Sequence, residues 1–442
     1  MIEVFIYMAR KVFISFLGIN DYTEVHYSIG GRTSLLVRFV QEALIDHWCQ
    51  DWNDDDRIII CCTEKSRKVN WFDYEGRTGL NTILQKKAIA SIVAEPVLIK
   101  EGLSEHDLWD TFNVIYDNLK ESDQVYFDIT HAFRSIPIFA TVLINYARFM
   151  KNVEVKSIQY GAVEALGTIA EVKQMPEEMR VAPVIDLTSV IKLQYLTQAA
   201  DNFLNFGKMG KLGSAIAGTE YSSVVVQTLK NLQKAVIQLE EILLLNQAHR
   251  LKGRGNHKLD VKLFDDLNQQ LYRLLHSDEL NLAEKETLSR LYDKVSRFGR
   301  NPNNKIEVAI KWAIEFDMIS QAYTIGQENI KDRFLDLVKT HFNKYQTKFS
   351  HRITVIEGVL GLEDENKYDI GKNSEDIAVF KELYNLELSK KIRPSYILLK
   401  QNRNSLNHAN SIKTISVYKE EFRDTYYNCI DLINAVSEHK LR

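Results

Sequence analysis

Short β-rich apolar runs alternate with helix-length segments over the first 190 residues, and this alternation constrains the chain more than any other feature. Residues 11–17 (KVFISFL) end at Gly18, and residues 57–62 (RIIICC) are apolar on both faces, as in a strand covered on both sides. Residues 124–129 (QVYFDI) and 153–160 (VEVKSIQY) predict two more strands. Between them, residues 33–48 carry Leu36, Phe39, Val40, Ala43 and Leu44 at helical spacing. Residues 103–119 and 137–150 also predict helices, the former with Ser104 as N-cap and Asp107 three positions on. Strands separated by helix-length segments imply βαβ units and a parallel sheet.

The rest of the chain is patterned differently. No proline occurs between Pro183 and Pro302, nor between Pro302 and Pro394. Apolar residues recur with a period near 3.6 over 224–245, 280–298, 307–321, 380–388 and 418–436, which predicts an all-α domain. Loops are expected at 207–213, 252–257, 301–304 and 361–372. The expected division is an α/β domain over 1–190, a linker over 191–215 and a helical domain over 216–442. At 442 residues the chain has material for more than one core.

The formal net charge of -3 hides an asymmetry. Residues 1–190 hold 19 basic and 27 acidic side chains, net -8, whereas residues 191–442 hold 37 and 32, net +5. This argues against a uniformly basic nucleic-acid coat and leaves room for a basic surface on the second half. Cys49, Cys61, Cys62 and Cys429 show no C-x-x-C spacing and read as buried, reduced thiols of a cytoplasmic protein. Arg10 and Lys11 split the apolar N-terminus into pieces shorter than the ~20 residues a membrane span needs. No signal peptide is expected, and residues 1–7 read as a short lead, with Met8 a second possible start.

Three segments carry chemistry. Residues 16–27 (FLGINDYTEVHY) follow the first strand, where the loops of a parallel sheet meet ligands. Gly18 allows close backbone approach there, and Gly30 and Gly31 lead into the next helix. Residues 128–137 (DITHAFRSIP) crowd Asp128, Thr130, His131, Arg134 and Ser135 at the carboxyl end of a strand. Asp128 suits backbone amides, the hydroxyls suit phosphate or base edges, and Arg134 adds a cation. A capping network without a ligand accounts for the same residues. Residues 403–408 (RNSLNH) place Arg403 and His408 five apart, on roughly one helix face or across a helix-to-turn bend. A permanent cation and a proton carrier suit metal-free phosphodiester cleavage, although so short a pattern, taken alone, is more often a pair of surface charges. Arg250 and His257 form a rival pair across two glycines. No G-x-G-x-x-G, Walker loop, G-x-S-x-G or metal-ligand spacing occurs, so no metal and no cofactor are expected.

Together and in this order, the segments resemble a CRISPR-associated family of type III systems that pairs a CARF domain with a HEPN ribonuclease domain. DITHAFRSIP is similar to that family's D-x-T-H-G-F-R-S-x-P signature, and FLGINDYTEVHY to its first-strand motif. Residues 184–188 (VIDLT) and 201–207 (DNFLNFG) resemble the segment leaving the sensor domain, and RNSLNH fits the HEPN Arg-x4-6-His pattern. Ala132 stands where the family has Gly, and Ile19 and Asn20 where it has Thr-Gly. Both departures lie where backbone meets ligand, so the ring size of the ligand is left open.

The resemblance implies an α/β Rossmann-like CARF domain followed by an all-α HEPN domain, acting as an accessory effector in antiviral defence. It implies a homodimer whose CARF pair binds cyclic oligoadenylate, cyclic tetra-adenylate in the first place and cyclic hexa-adenylate in the second. By residue-wise transfer, Gly18, Asn20, Thr130, His131, Arg134 and Ser135 contact the ring. Arg403 holds the scissile phosphate of single-stranded RNA, His408 handles the 2′-hydroxyl proton, and Asn404 orients the pair, leaving a 2′,3′-cyclic phosphate. No stable complex with the interference complex is expected. A two-fold axis would double the single Arg/His set, which in-line attack can use at both nucleophile and leaving oxygen. The alternatives are a CARF regulator or scaffold without nuclease activity, and a sensor that also degrades its ligand.

Overall fold

The computed structural model describes residues 9–87, 92–131, 136–209, 222–247, 258–300, 305–344, 348–368, 374–408 and 413–440. The chain divides into two compact units at Gln194/Tyr195.

Unit one is built on an eight-stranded sheet. Its strands are β1 (Lys11–Leu17), β2 (His26–Ile29), β3 (Arg32–Thr33), β4 (Arg57–Cys62), β5 (Ala94–Leu98), β6 (Gln124–Asp128), β7 (Glu154–Gly161) and β8 (Val181–Asp186). The order is β3-β2-β8-β7-β6-β1-β4-β5. The five strands β7-β6-β1-β4-β5 run parallel, as the alternation predicts. β8 pairs antiparallel with β7, and β2 and β3 extend that edge. Among the parallel strands, whose sequence order β2 and β3 interrupt at the far edge, the chain runs from β1 one way to β4 and β5, then returns to the other side of β1 for β6. The order therefore reverses between β1 and β6, and ligands of open α/β sheets bind outside the carboxyl ends of the strands at such a reversal.

Most of the segment 184–188 forms the end of β8, the last strand before the chain passes out of unit one. The helix expected over 33–48 begins only at Val40 (α1, Val40–Trp48). Phe39 is extended, and the Glu42 carboxylate accepts the N–H groups of Arg38 and Phe39, both at 3.1 Å, so the helix starts there. α2 (Leu80–Lys87) follows a turn that the sequence pattern did not reveal. α3 (Glu105–Asn118) starts as expected, with Ser104 Oγ accepting the Asp107 N–H at 3.1 Å. α4 (Ile136–Lys151) buries Ala140, Leu143, Ile144 and Ala147, while α5 (Ile169–Gln174) is a single capped stretch before β8.

The expected linker begins inside a helix, α6 (Thr188–Phe206), within which the two units divide. It ends at Gly207, whose φ of 67° is the left-handed cap that glycine adopts without strain. Residues 210–221 lie outside the described residues, as do the expected loops at 252–257 and 301–304.

Unit two is helical throughout its described residues: α7 (Ser223–Leu244), α8 (Lys258–Leu275), α9 (Leu282–Val295), α10 (Lys305–Glu315), α11 (Ile319–Lys344), α12 (Phe349–Gly361), α13 (Ser374–Tyr384), α14 (Glu387–Asn407) and α15 (Ile415–Lys440), with short helical turns between. One apolar core, including Leu232, Phe264, Trp312, Phe334, Tyr396 and Phe422, joins them. The periodic stretch 307–321 is two helices, because Asp317 takes a φ of 59° and the chain turns there. Pro394 lies inside α14 without ending it. The fold is thus an α/β domain followed by an all-α region. No described helix is long and apolar enough to cross a membrane.

Candidate functional site

At the carboxyl end of β6, Asp128 is fully buried and accepts the Ser15 hydroxyl from β1 at 2.5 Å. It also accepts the N–H of Thr130 at 2.9 Å and its hydroxyl at 2.5 Å. Thr130 Oγ1 in turn accepts the Gly161 N–H from β7 at 2.8 Å, and Gln41 of α1 donates to Ser15 Oγ and to the Phe16 carbonyl. A continuous polar bridge therefore ties α1, β1, β6 and β7 together beneath the loops. Burial pushes the Asp128 carboxyl up, while its bonds to Ser15 and Thr130 oppose that shift. Thr130, expected to touch a ligand, commits its hydroxyl to this bridge on both sides.

His131 is differently placed. Its ring lies 4.3 Å from that of Tyr22, centroid to centroid, at 31°, and burial lowers its pKa to about 4. The imidazole is therefore neutral near pH 7. Tyr22 also explains Gly18: a Cβ there would meet the Tyr22 hydroxyl oxygen at 2.5 Å. The Gly18–Asn20 turn is held from below by Asn70, a buried residue in the helical turn after β4. Asn70 Nδ2 donates to the carbonyls of Gly18 at 3.0 Å and Asn20 at 2.9 Å, and its Oδ1 accepts from Arg38 at 3.2 Å. Arg38 and Arg77 both pair with Asp21, at 3.7 and 2.9 Å.

These elements frame a cavity of about 350 Å³ at the sheet's carboxyl edge, at the reversal between β1 and β6. Gly18, Asn20 and His131 line it, together with Thr63, Lys65 and Glu101 from the ends of β4 and β5. Arg134 and Ser135 lie outside the described residues. Sequence reasoning missed Asn70, Lys65 and Glu101. Lys65 had a signal, since it stands three residues past a strand whose neighbours both lead into the site.

In unit two, Arg403 lies in the last turns of α14 and is half-buried. Its guanidinium donates to Gln327 Oε1 of α11 at 2.5 Å and to Asn404 Oδ1 at 2.9 Å. Both partners are neutral amides, and among the described residues no carboxylate forms an ion pair with Arg403. Asn404, expected to orient the Arg403/His408 pair, bonds to the Arg403 guanidinium through its side chain. His408 caps the C-terminus of α14 in an exposed position, its N–H donating to the Asn404 carbonyl at 3.0 Å. The pair thus spans a helix-to-turn bend rather than one helix face. The rival, Arg250 and His257, lies outside the described residues. Among the described residues no three His, Cys, Asp or Glu side chains are grouped to hold a metal ion.

Residues 12–164 match the family model described as "CRISPR system endoribonuclease Csx1, CARF domain". Over 113 residues the chain is 30% identical to a CRISPR-associated protein of Methanocaldococcus jannaschii, covering 25% of this chain and 16% of that relative's length. The matched part of unit one contains β1, β4, β5, β6 and the cavity they frame. It is this α/β unit, with its cavity at the strand reversal, that is similar to the CARF domains of CRISPR systems.

Proposed function

We propose that the chain is a type III CRISPR accessory effector: a cytoplasmic, cyclic-oligoadenylate-activated endoribonuclease whose helical unit is a HEPN domain. The observation that carries this reading is the cavity at the reversal between β1 and β6, within residues similar to a CARF domain. Cyclic oligoadenylate is its ligand. The neutral His131 ring on Tyr22 offers a stacking surface for adenine, and the Gly18–Asn20 turn offers backbone groups to the sugar-phosphate ring. Lys65, Arg134 and Ser135 supply cation and hydrogen bonds. The acidic unit cannot draw a polyanion from a distance, so these local groups must bind it.

Two further observations support the reading. Arg403 keeps its charge uncompensated by any carboxylate of the described residues, as a phosphate-binding cation requires. On α4 the residues Ile138, Val142, Tyr146 and Phe149 form an exposed apolar stripe opposite the buried one, immediately after the ligand segment. A second copy docked on that stripe buries it and brings two ligand segments to one axis. In the dimer, Arg403 holds the scissile phosphate and His408 takes the 2′-hydroxyl proton; the 2′-oxygen attacks phosphorus, the P–O5′ bond breaks, and the 5′-oxygen leaves with a proton from an imidazolium, giving a 2′,3′-cyclic phosphate and a 5′-hydroxyl end.

The test is RNA cleavage by the full chain against cyclic oligoadenylates of different ring sizes. Cleavage is expected with one ring, cyclic tetra-adenylate before cyclic hexa-adenylate, and none without. His408→Ala should lose cleavage and keep ring binding. Ring binding without cleavage by the parent chain would instead identify a sensor that lacks nuclease activity.

A further inference from the structure

Unit two holds a second cavity, of about 300 Å³, between α10 and α15. Lys311, Ile314 and Glu315 line it from α10, and Lys419, Phe422, Arg423 and Tyr427 from α15. These positions recur at three- and four-residue spacing, so each helix presents one face to the cavity. The charges are unevenly satisfied. Lys419 pairs with Asp317 at 2.6 Å, and Glu315 is held by Lys294 and by Arg297, the latter at 3.5 Å. Among the described residues Lys311 and Arg423 have no ion-pair partner, and both are exposed. The floor is the half-buried ring of Tyr427, and burial raises the pKa of its hydroxyl, while Phe422 lies beneath, fully buried.

An aromatic floor with two free cations at the rim fits a planar, apolar-faced group that carries negative charge on its edge. A nucleotide has that chemistry, and the cavity is large enough for one. Its place in the fold favours a nucleotide of an RNA strand. Phe422 packs against Gly326, where a Cβ would meet its ring at 2.9 Å, and the next residue, Gln327, holds Arg403. We infer that this cavity is a subsite for one nucleotide of the single-stranded RNA, its base against the half-buried Tyr427 and its phosphates on Lys311 and Arg423. The inference rests on the nuclease reading above and adds where the strand is held away from the scissile bond.

The test is steady-state cleavage of a labelled single-stranded RNA by the full, cyclic-oligoadenylate-activated chain. Lys311→Ala with Arg423→Ala should raise KM about ten-fold and leave kcat within about two-fold. The salt dependence of RNA binding should flatten in the same variant, because fewer counterions are released. Tyr427→Ala should raise KM by a similar factor, whereas Tyr427→Phe, which keeps the ring, should match the parent. A parental KM in both the double variant and Tyr427→Ala overturns the subsite while leaving the nuclease reading standing. A parent chain that neither binds nor cleaves RNA overturns the nuclease reading itself. Adenosine monophosphate that quenches Tyr427 fluorescence, with KM for RNA unmoved by the variants, assigns the cavity to a free nucleotide and also overturns it.

Discussion

Asp128 and Ser15 stand side by side on β6 and β1, joined by a hydroxyl-to-carboxylate bond of 2.5 Å at the point where the strand order reverses. The bond fixes the two strand ends from which the loops of the cavity depart. Asp128→Ala would leave the Ser15 hydroxyl and both Thr130 donors without their acceptor in a buried place. Each such orphan costs about 1–3 kcal/mol, and part is recovered by rearrangement, so a loss of about 2–4 kcal/mol is expected. Urea unfolding of unit one's transition measures it. A variant as stable as the parent would mean that the bridge contributes nothing to the fold.

The cavity loop gives a sharper test. Asn70→Ala removes both donors to the Gly18 and Asn20 carbonyls, and Gly18→Ala drives a methyl against the Tyr22 hydroxyl. The Tyr22 ring lies 4.3 Å from that of His131, so a displaced Tyr22 presses on the His131 ring that lines the cavity. Both variants should weaken binding of cyclic oligoadenylate about ten-fold or more, read by calorimetry, with RNA cleavage recovered at saturating ligand.

How much of this was readable in the sequence follows from what each residue does. The strands β1 and β4 are apolar runs, and β6 and β7 carry β-rich residues such as Val125, Phe127, Val155 and Ile158, so all four announce themselves, but β2 and β3 are four and two residues long and are defined by their pairing partners. β5 (AEPVL) contains Pro96, which demotes a run on local rules and is tolerated here at the sheet's edge. Gly18, Asp128 and His131 sit in a dense polar segment just after a strand and could be picked out. Asn70 and Gln327 could not, because an isolated amide carries no pattern. Each acts through one long-range contact, 52 residues away for Asn70 and Gly18 and 76 for Gln327 and Arg403. Thr130 carries a structural duty its motif did not announce: marked as a ligand group, it also bonds Asp128 and Gly161 through its hydroxyl.

His131 sets an acid limit on unit one. Its folded pKa of about 4 lies below the ordinary histidine value near 6.5, because burial disfavours the cation. The stabilisation is complete above pH 6.5, where both states hold a neutral ring. It is lost as pH falls from about 6.5 to about 4, where the unfolded chain takes up a proton that the folded one refuses. The full difference is up to about 3 kcal/mol. His131→Phe should therefore flatten the fall of melting temperature between pH 6.5 and 4, and an unchanged pH profile would contradict a buried neutral imidazole.

Gln327 gives a prediction for the helical unit. It is fully buried and presents a neutral oxygen to Arg403, fixing the guanidinium without cancelling its charge. Gln327→Ala should let Arg403 wander and lower kcat about ten-fold. Gln327→Glu preserves the shape and places a carboxylate on the same nitrogen, so the cation is paired before any phosphate arrives. If the free charge matters, the glutamate variant is the worse of the two in RNA cleavage. If the alanine variant is worse, Gln327 serves geometry alone.

The stripe on α4 gives a test of whether two copies act together. Ile138 and Phe149 are 77% and 83% exposed, and with Val142 and Tyr146 they leave one side of the helix apolar while Ala140, Leu143, Ile144 and Ala147 fill the other. A helix apolar all round is one that is covered all round, and a patch of this kind on an isolated surface invites association. Val142→Glu with Phe149→Glu should not disturb the fold, because both side chains point away from the core. In a dimer seam the four carboxylates of the two copies would be brought together without water or counter-charge, a cost of several kcal/mol that a standard interface cannot absorb. Analytical ultracentrifugation should show a dimer for the parent and a monomer for the variant. Cleavage should fall with the dimer, since one copy offers a single Arg403 and His408, while each monomer keeps its melting temperature. A variant that remains dimeric and active would move the two-fold contact to another face of the molecule.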